Sequence, residues 1–151
     1  MSDDMLTAAE DFLDYLQSPL DDLYSFYYTM QWAAVLHDKE FADKDIPYGL
    51  KKLRQKLSAT QMDRLFVTHQ ITAPSSISPL EYGSVLTQCQ PVLRAWYWKL
   101  QGIKEDWEKC QSKLSGQETN AEIYIPLFSA FALRGVATLG ELVYNLTKDM
   151  D

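Results

Sequence analysis

Histidine and cysteine are scarce in this chain, two of each in 151 residues, and glycine and proline come to only six apiece. His37 and His69 stand apart from any Cys or His at ligand spacing, although Asp38, Glu40 and Asp43 surround the first. Neither an HExxH nor a pair of ExxH motifs occurs, so a zinc or di-metal centre has no ligand set. Cys89 and Cys110 belong to no CxxC pair and read as helix-packing thiols of a reducing compartment. The few glycines form no GxxxxGK[ST], GxGxxG or GxSxG, which leaves phosphate-loop and nucleophile-elbow chemistry without support. No cofactor is expected. With no constellation that unites nucleophile, base and stabiliser, the chain reads as something other than an enzyme. The start, Met-Ser-Asp-Asp-Met, lacks the basic and apolar regions of a signal peptide, and a cytoplasmic location is the expectation.

Charge of one sign is what is abundant, and it is segregated. Residues 1–45 carry eleven carboxylates against two lysines, whereas residues 46–114 carry ten basic side chains against five acidic ones, within a formal net charge of −7. Such polarity lets one face meet a polyanion and another a basic protein. Hydrophobic residues at 46% and aromatics at 13% are ample for a packed core. At this length a single domain over 1–151 is the expectation, burying roughly 70% of its unfolded surface.

Helix signals recur and strand signals do not. Ser18-Pro19-Leu20-Asp21 places a cap before a proline, and capping-box patterns stand at Ser58-Ala59-Thr60-Gln61, Ser78-Pro79-Leu80-Glu81 and Thr119-Asn120-Ala121-Glu122. The pattern predicts an all-α bundle of about six helices, near 3–17, 19–37, 46–57, 59–71, 79–114 and 122–148. Pro91 should kink or split the long fifth helix near Gln88. Ile46, Leu50, Leu53 and Leu57 form one stripe, with Lys52 and Lys56 opposite. From residue 91 onward Val92, Leu93, Trp96, Leu100, Ile103, Trp107, Cys110 and Leu114 make a narrow packing seam. Ile123 to Leu146 is long and apolar enough to suggest a membrane span. Arg134 and Glu141 inside it, with Pro126 and two glycines, favour a buried helix in which those two charges pair.

Lys51, Lys52, Arg54 and Lys56 lie within six residues, and Arg64 follows one helix later. Such a run reads either as a solvated helix face or as a phosphate-contacting one. Trp98 points away from the seam of Trp96, Leu100, Ile103 and Trp107 and sits beside Lys99, one turn from Arg94. It reads as a stacking platform or interface anchor, or else as a residue packed under a neighbouring helix. The carboxylates Asp3, Asp4, Asp21 and Asp22 fall in first helical turns, where the macrodipole favours negative charge.

Three segments carry a resemblance: Ile46-Pro47-Tyr48-Gly49-Leu50-Lys51-Lys52-Leu53-Arg54, the helix from Pro91 to Leu114, and the closing helix from Pro126 to Leu146. In length and helical layout the chain resembles the small subunit of type I CRISPR interference (Cascade) complexes, nearest to the type I-D small subunit. The resemblance implies a non-catalytic, cytoplasmic antiviral-defence protein that assembles with other subunits, copies of itself included. It also implies phosphate contacts to guide RNA or to a target or displaced DNA strand, and no membrane. Matching basic positions are Lys51, Lys52, Arg54, Lys56, Arg64, Arg94 and Lys99. The overall acidity departs from the basic groove of such subunits and bears on strand binding more than on assembly.

A second reading belongs to a different class. It is a small acidic immunity, inhibitor or adaptor protein whose Asp11, Asp14, Asp21 and Asp22 clamp a basic partner, with Trp98 in the interface.

Overall fold

In the computed structural model the chain is all α. The structure describes residues 18–37, 41, 46–114 and 121–148, and among these it has six helices and no strand. They are α1 (Asp21–Val35), α2 (Tyr48–Leu57), α3 (Gln61–Thr72), α4 (Pro79–Tyr82), α5 (Ser84–Leu114) and α6 (Ala121–Thr147). The helix expected near 3–17 and the cap expected at Thr119 lie outside the described residues.

Local chemistry sets the helix starts. Ser18 Oγ accepts from the Leu20 N–H (3.2 Å), and Asp21 Oδ2 accepts from the Ser18 N–H (2.7 Å), a reciprocal box that opens α1. Pro47, extended at φ −56° and ψ 145°, opens α2 and leaves Ile46 outside the helix. Thr60 rather than Ser58 caps α3, its hydroxyl accepting from the Asp63 N–H at 3.2 Å, because Ser58 is spent closing α2. Ser78 makes no side-chain cap; its carbonyl accepts from Glu81 and Tyr82 instead. The long fifth helix divides at Gly83, whose φ of 82° glycine alone adopts at little cost, and α5 then runs unbroken through Pro91. The break expected near Gln88 is therefore several residues earlier. Pro91 removes one backbone donor without ending the helix.

Contacts divide the chain into two compact units. One spans residues 27–97, where Val35, Leu50, Leu53, Leu57, Val67, Ile71, Leu86, Leu93 and Trp96 are buried. At roughly 1.5–3 kcal/mol for each large apolar side chain, these residues supply the main force holding the unit. The predicted α2 stripe is its centre. Gly49 is needed there because a Cβ would lie 2.7 Å from Glu81 Cγ and 2.8 Å from the Glu81 carbonyl oxygen, so only glycine lets α2 rest on α4. Gln90, 3% exposed, pins the chain between α3 and α4: its amide donates to the carbonyls of Ile71 (3.2 Å) and Ser75 (3.0 Å) and its oxygen accepts from the Ile77 N–H (3.0 Å).

In the other unit the described residues are 18–26, 98–114 and 121–148, and Leu20, Leu23, Tyr24, Leu100, Ile103, Trp107 and Phe131 are buried. Trp107 meets Tyr124, Phe128 and Phe131 edge-on at centroid distances of 5.8, 6.3 and 5.3 Å, which fixes the inner row of α6. Leu23 occupies the space that a Cβ on Gly135 would need. Arg134 does not pair with Glu141. It donates to Asp106 Oδ2 on α5 at 2.9 Å, a carboxylate also approached by Lys109.

The expected burial of α6 is not met. Ile123–Asn145 is long and apolar enough to cross a membrane, and 11% of an eighteen-residue apolar window within it is buried. Ile125, Leu133, Val136 and Tyr144 are all more than 60% exposed.

Candidate nucleic-acid interface

All residues of α2 but Arg54 sort into two faces. Gly49, Leu50, Leu53 and Leu57 point to the core. Tyr48, Lys51, Lys52, Gln55 and Lys56 line the opposite side, which borders an open hollow of about 460 Å³. The spacing i, i+3, i+4, i+7, i+8 places these five on one strip of helix surface, so the lysines converge by periodicity alone. Tyr48 is 80% exposed at one end. Lys51 and Lys52 are exposed and make no ion pair with described residues.

The third lysine is partly engaged. Lys56 pairs with Asp63 of α3, and its ammonium also lies 4.7 Å from the Phe66 ring centroid. Lys52 lies 5.8 Å from the same ring. Hydrogen bonds from Lys56 and Thr60 hold the Asp63 carboxyl below its ordinary value of 3.8, so it stays ionised and offsets one of the three cations. What remains is a patch with two uncompensated ammonium groups, one shared one and two aromatic rings.

The arginines do other work. Arg54 Nε donates to the Val35 carbonyl at 2.9 Å and Nη2 to the His37 carbonyl at 2.8 Å, closing the end of α1, whose last turn has no basic residue of its own. Arg94 Nη1 donates to Pro74 (2.7 Å) and Ala73 (3.4 Å) beyond the end of α3. The planar fork suits such carbonyl clusters better than a lysine would. Both residues therefore serve the fold, which engages part of each guanidinium that the sequence reading offers to phosphate. Arg64 is half-buried, and its Nε is buried without a hydrogen-bond partner among the described residues.

Lys99 and Trp98 belong to the other unit. Lys99 is exposed, and Trp98 is 59% exposed. Of the acidic set, Asp11 and Asp14 lie outside the described residues and Asp22 is exposed. Asp21 is 3% exposed and committed to the α1 cap, which removes it from any partner-facing surface.

Cys89 and Cys110 are free thiols, and burial raises the pKa of Cys89. No cluster of three or more metal-ligating side chains occurs among the described residues. Sequence reasoning found the lysines but missed Tyr48, on the lysine side of α2, and Phe66, on α3 beside Lys52 and Lys56, positions readable only as helix phase. Compared with models of known protein families, with curated proteins and with solved structures, the chain has no match.

Proposed function

We propose that this chain is a non-catalytic helical subunit of a CRISPR-type RNA-guided defence complex, and that the outer face of α2 holds a nucleic-acid strand by its phosphates. The observation that carries the strand reading is the convergence of Lys51, Lys52 and Lys56 on one helix face, around an open hollow, with Asp63 the one carboxylate in α2 and α3. Ammonium groups at helical spacing neutralise successive phosphates without reading bases. Tyr48 at the edge of the strip offers a ring to an unpaired base. Membership of a larger complex, with other subunits and copies of the chain as partners, rests on the family resemblance.

The test is fluorescence anisotropy with a labelled single strand of about thirty nucleotides across a salt series, for wild type and the triple change Lys51→Glu, Lys52→Glu, Lys56→Glu. Affinity should fall log-linearly with salt in the wild type and collapse in the variant. Strand binding unchanged by the triple reversal would sink the proposal. Absence of binding even at low salt would return attention to Asp22 and the acidic N-terminal segment as a docking surface for a basic protein.

A further inference from the structure

α3 presents apolar side chains on two sides. Val67, Thr68, Ile71 and Thr72 are buried. Met62, Leu65 and Phe66 follow one another at i, i+3 and i+4 on the other side, 74%, 37% and 37% exposed, and His69 continues the row at i+7, also exposed. Single exposed apolar residues are ordinary on a protein surface, but a row bordered by charge of one sign is a different object. The border here is the lysine side of α2: the Lys56 and Lys52 ammonium groups lie 4.7 and 5.8 Å from the Phe66 centroid. The sole carboxylate in α2 and α3, Asp63, is already engaged by Lys56 and Thr60, so the border keeps a positive surplus.

We infer that the Met62–Leu65–Phe66 row is a docking site for an acidic amphipathic helix of a partner protein. The partner's apolar residues seat on the row, and its flanking carboxylates face Lys52 and Lys56. Charge complementarity sets the sign of the partner. The choice of a protein helix over a nucleic acid comes from Met62 and Leu65: aliphatic side chains offer a strand nothing to stack on, whereas a row at i, i+3, i+4 is what a helix groove presents to the apolar face of another helix. The row is distinct from the strip around Tyr48 and Lys51, and only the rim lysines are shared.

The experiment uses the full chain and two labelled peptides of about eighteen residues, each with leucines at helical i, i+3, i+4, i+7 spacing, one filled out with glutamate and the other with lysine. Variants are Met62→Glu, at a position exposed enough to leave the fold intact by circular dichroism, and the pair Lys51→Glu, Lys52→Glu. The glutamate peptide should bind the wild type and the lysine peptide should not, and each variant should weaken binding by about ten-fold or more. Met62→Glu should lower binding of the single-stranded oligonucleotide only modestly, by the effect of one added charge near the lysines. Three results would overturn the inference: equal behaviour of the two peptides, equal binding by wild type and Met62→Glu, or loss of oligonucleotide binding in Met62→Glu, which would assign the row to the strand. Two more would replace the partner: self-association by sedimentation that Met62→Glu abolishes would make it a second copy, and binding to phosphatidylserine vesicles that Met62→Glu abolishes would make it a lipid surface.

Discussion

The outer face of α2 gathers three lysines, and the C-terminal ends of α1 and α3 each receive one arginine from another helix; the two settings use basic side chains in opposite ways. On α2 the ammonium groups of Lys51 and Lys52 face solvent with no ion-pair partner among the described residues. At the helix ends, the guanidinium groups of Arg54 and Arg94 are turned onto backbone carbonyls of Val35, His37, Ala73 and Pro74. A local count of positive charge therefore overstates what is free to meet a polyanion. The planar, multi-donor arginines satisfy the carbonyls that a helix leaves open at its C-terminus, and the flexible lysines are left for solvent or ligand.

The sharpest way to break this contrast is to remove an arginine. Arg54→Ala deletes two charge-assisted hydrogen bonds and leaves the end of α1 uncapped, and should destabilise the chain by about 1.5–3 kcal/mol in urea titration, with the single-strand affinity little changed. Arg54→Lys should recover only part of the loss, because one ammonium cannot reproduce the fork that reaches both carbonyls. Next in size is the reverse experiment. Lys51→Glu with Lys52→Glu should change the unfolding free energy in urea titration by less than about 0.5 kcal/mol while lowering the salt slope of strand binding by roughly 1–2 in log–log terms. A stability loss from the lysine pair as large as that from Arg54→Ala would erase the distinction.

The smallest effect concerns pH. The Asp63 and Asp106 carboxyls are both held below the ordinary value, by Lys56 and by Arg134 in turn. A depressed folded-state pKa means the unfolded chain binds protons first as pH falls. The stabilisation is therefore complete above the ordinary value of 3.8 and is lost as pH drops through the lowered value. Asp63→Asn should flatten the acid limb of the stability profile slightly, since the pair is at the surface and screened. It should also free Lys56 and raise strand affinity modestly, an outcome readable by anisotropy in the same buffers.

Different kinds of information were legible in the sequence to different depths. The α2 stripe of Leu50, Leu53 and Leu57 and the seam through Trp96, Leu100, Ile103 and Trp107 were both readable, because burial on one side of a helix imprints a period near 3.6. The cap at Ser18 was readable because its partners stand within three residues. Arg54 and Arg94 were not separable from the lysines, since their acceptors lie 17 to 21 residues away in the chain. The break at Gly83 was hidden behind the louder signal of Pro91: a proline inside a helix costs one hydrogen bond, whereas a positive φ ends the helix. In α6 the apolar side chains go nearly all the way round, so periodicity could not say which of them touch Trp107 and which remain open.

In the proposed function the lysines of α2, and not the arginines near them, carry an anionic strand. The most direct measurement is the salt dependence of single-strand binding for three chains side by side: wild type, Lys51→Glu with Lys52→Glu, and Arg94→Gln. The account predicts a slope that falls in the lysine variant and is unchanged in the Arg94 variant, whose guanidinium is occupied by the Pro74 and Ala73 carbonyls. A slope that falls with Arg94→Gln and not with the lysine pair would contradict it.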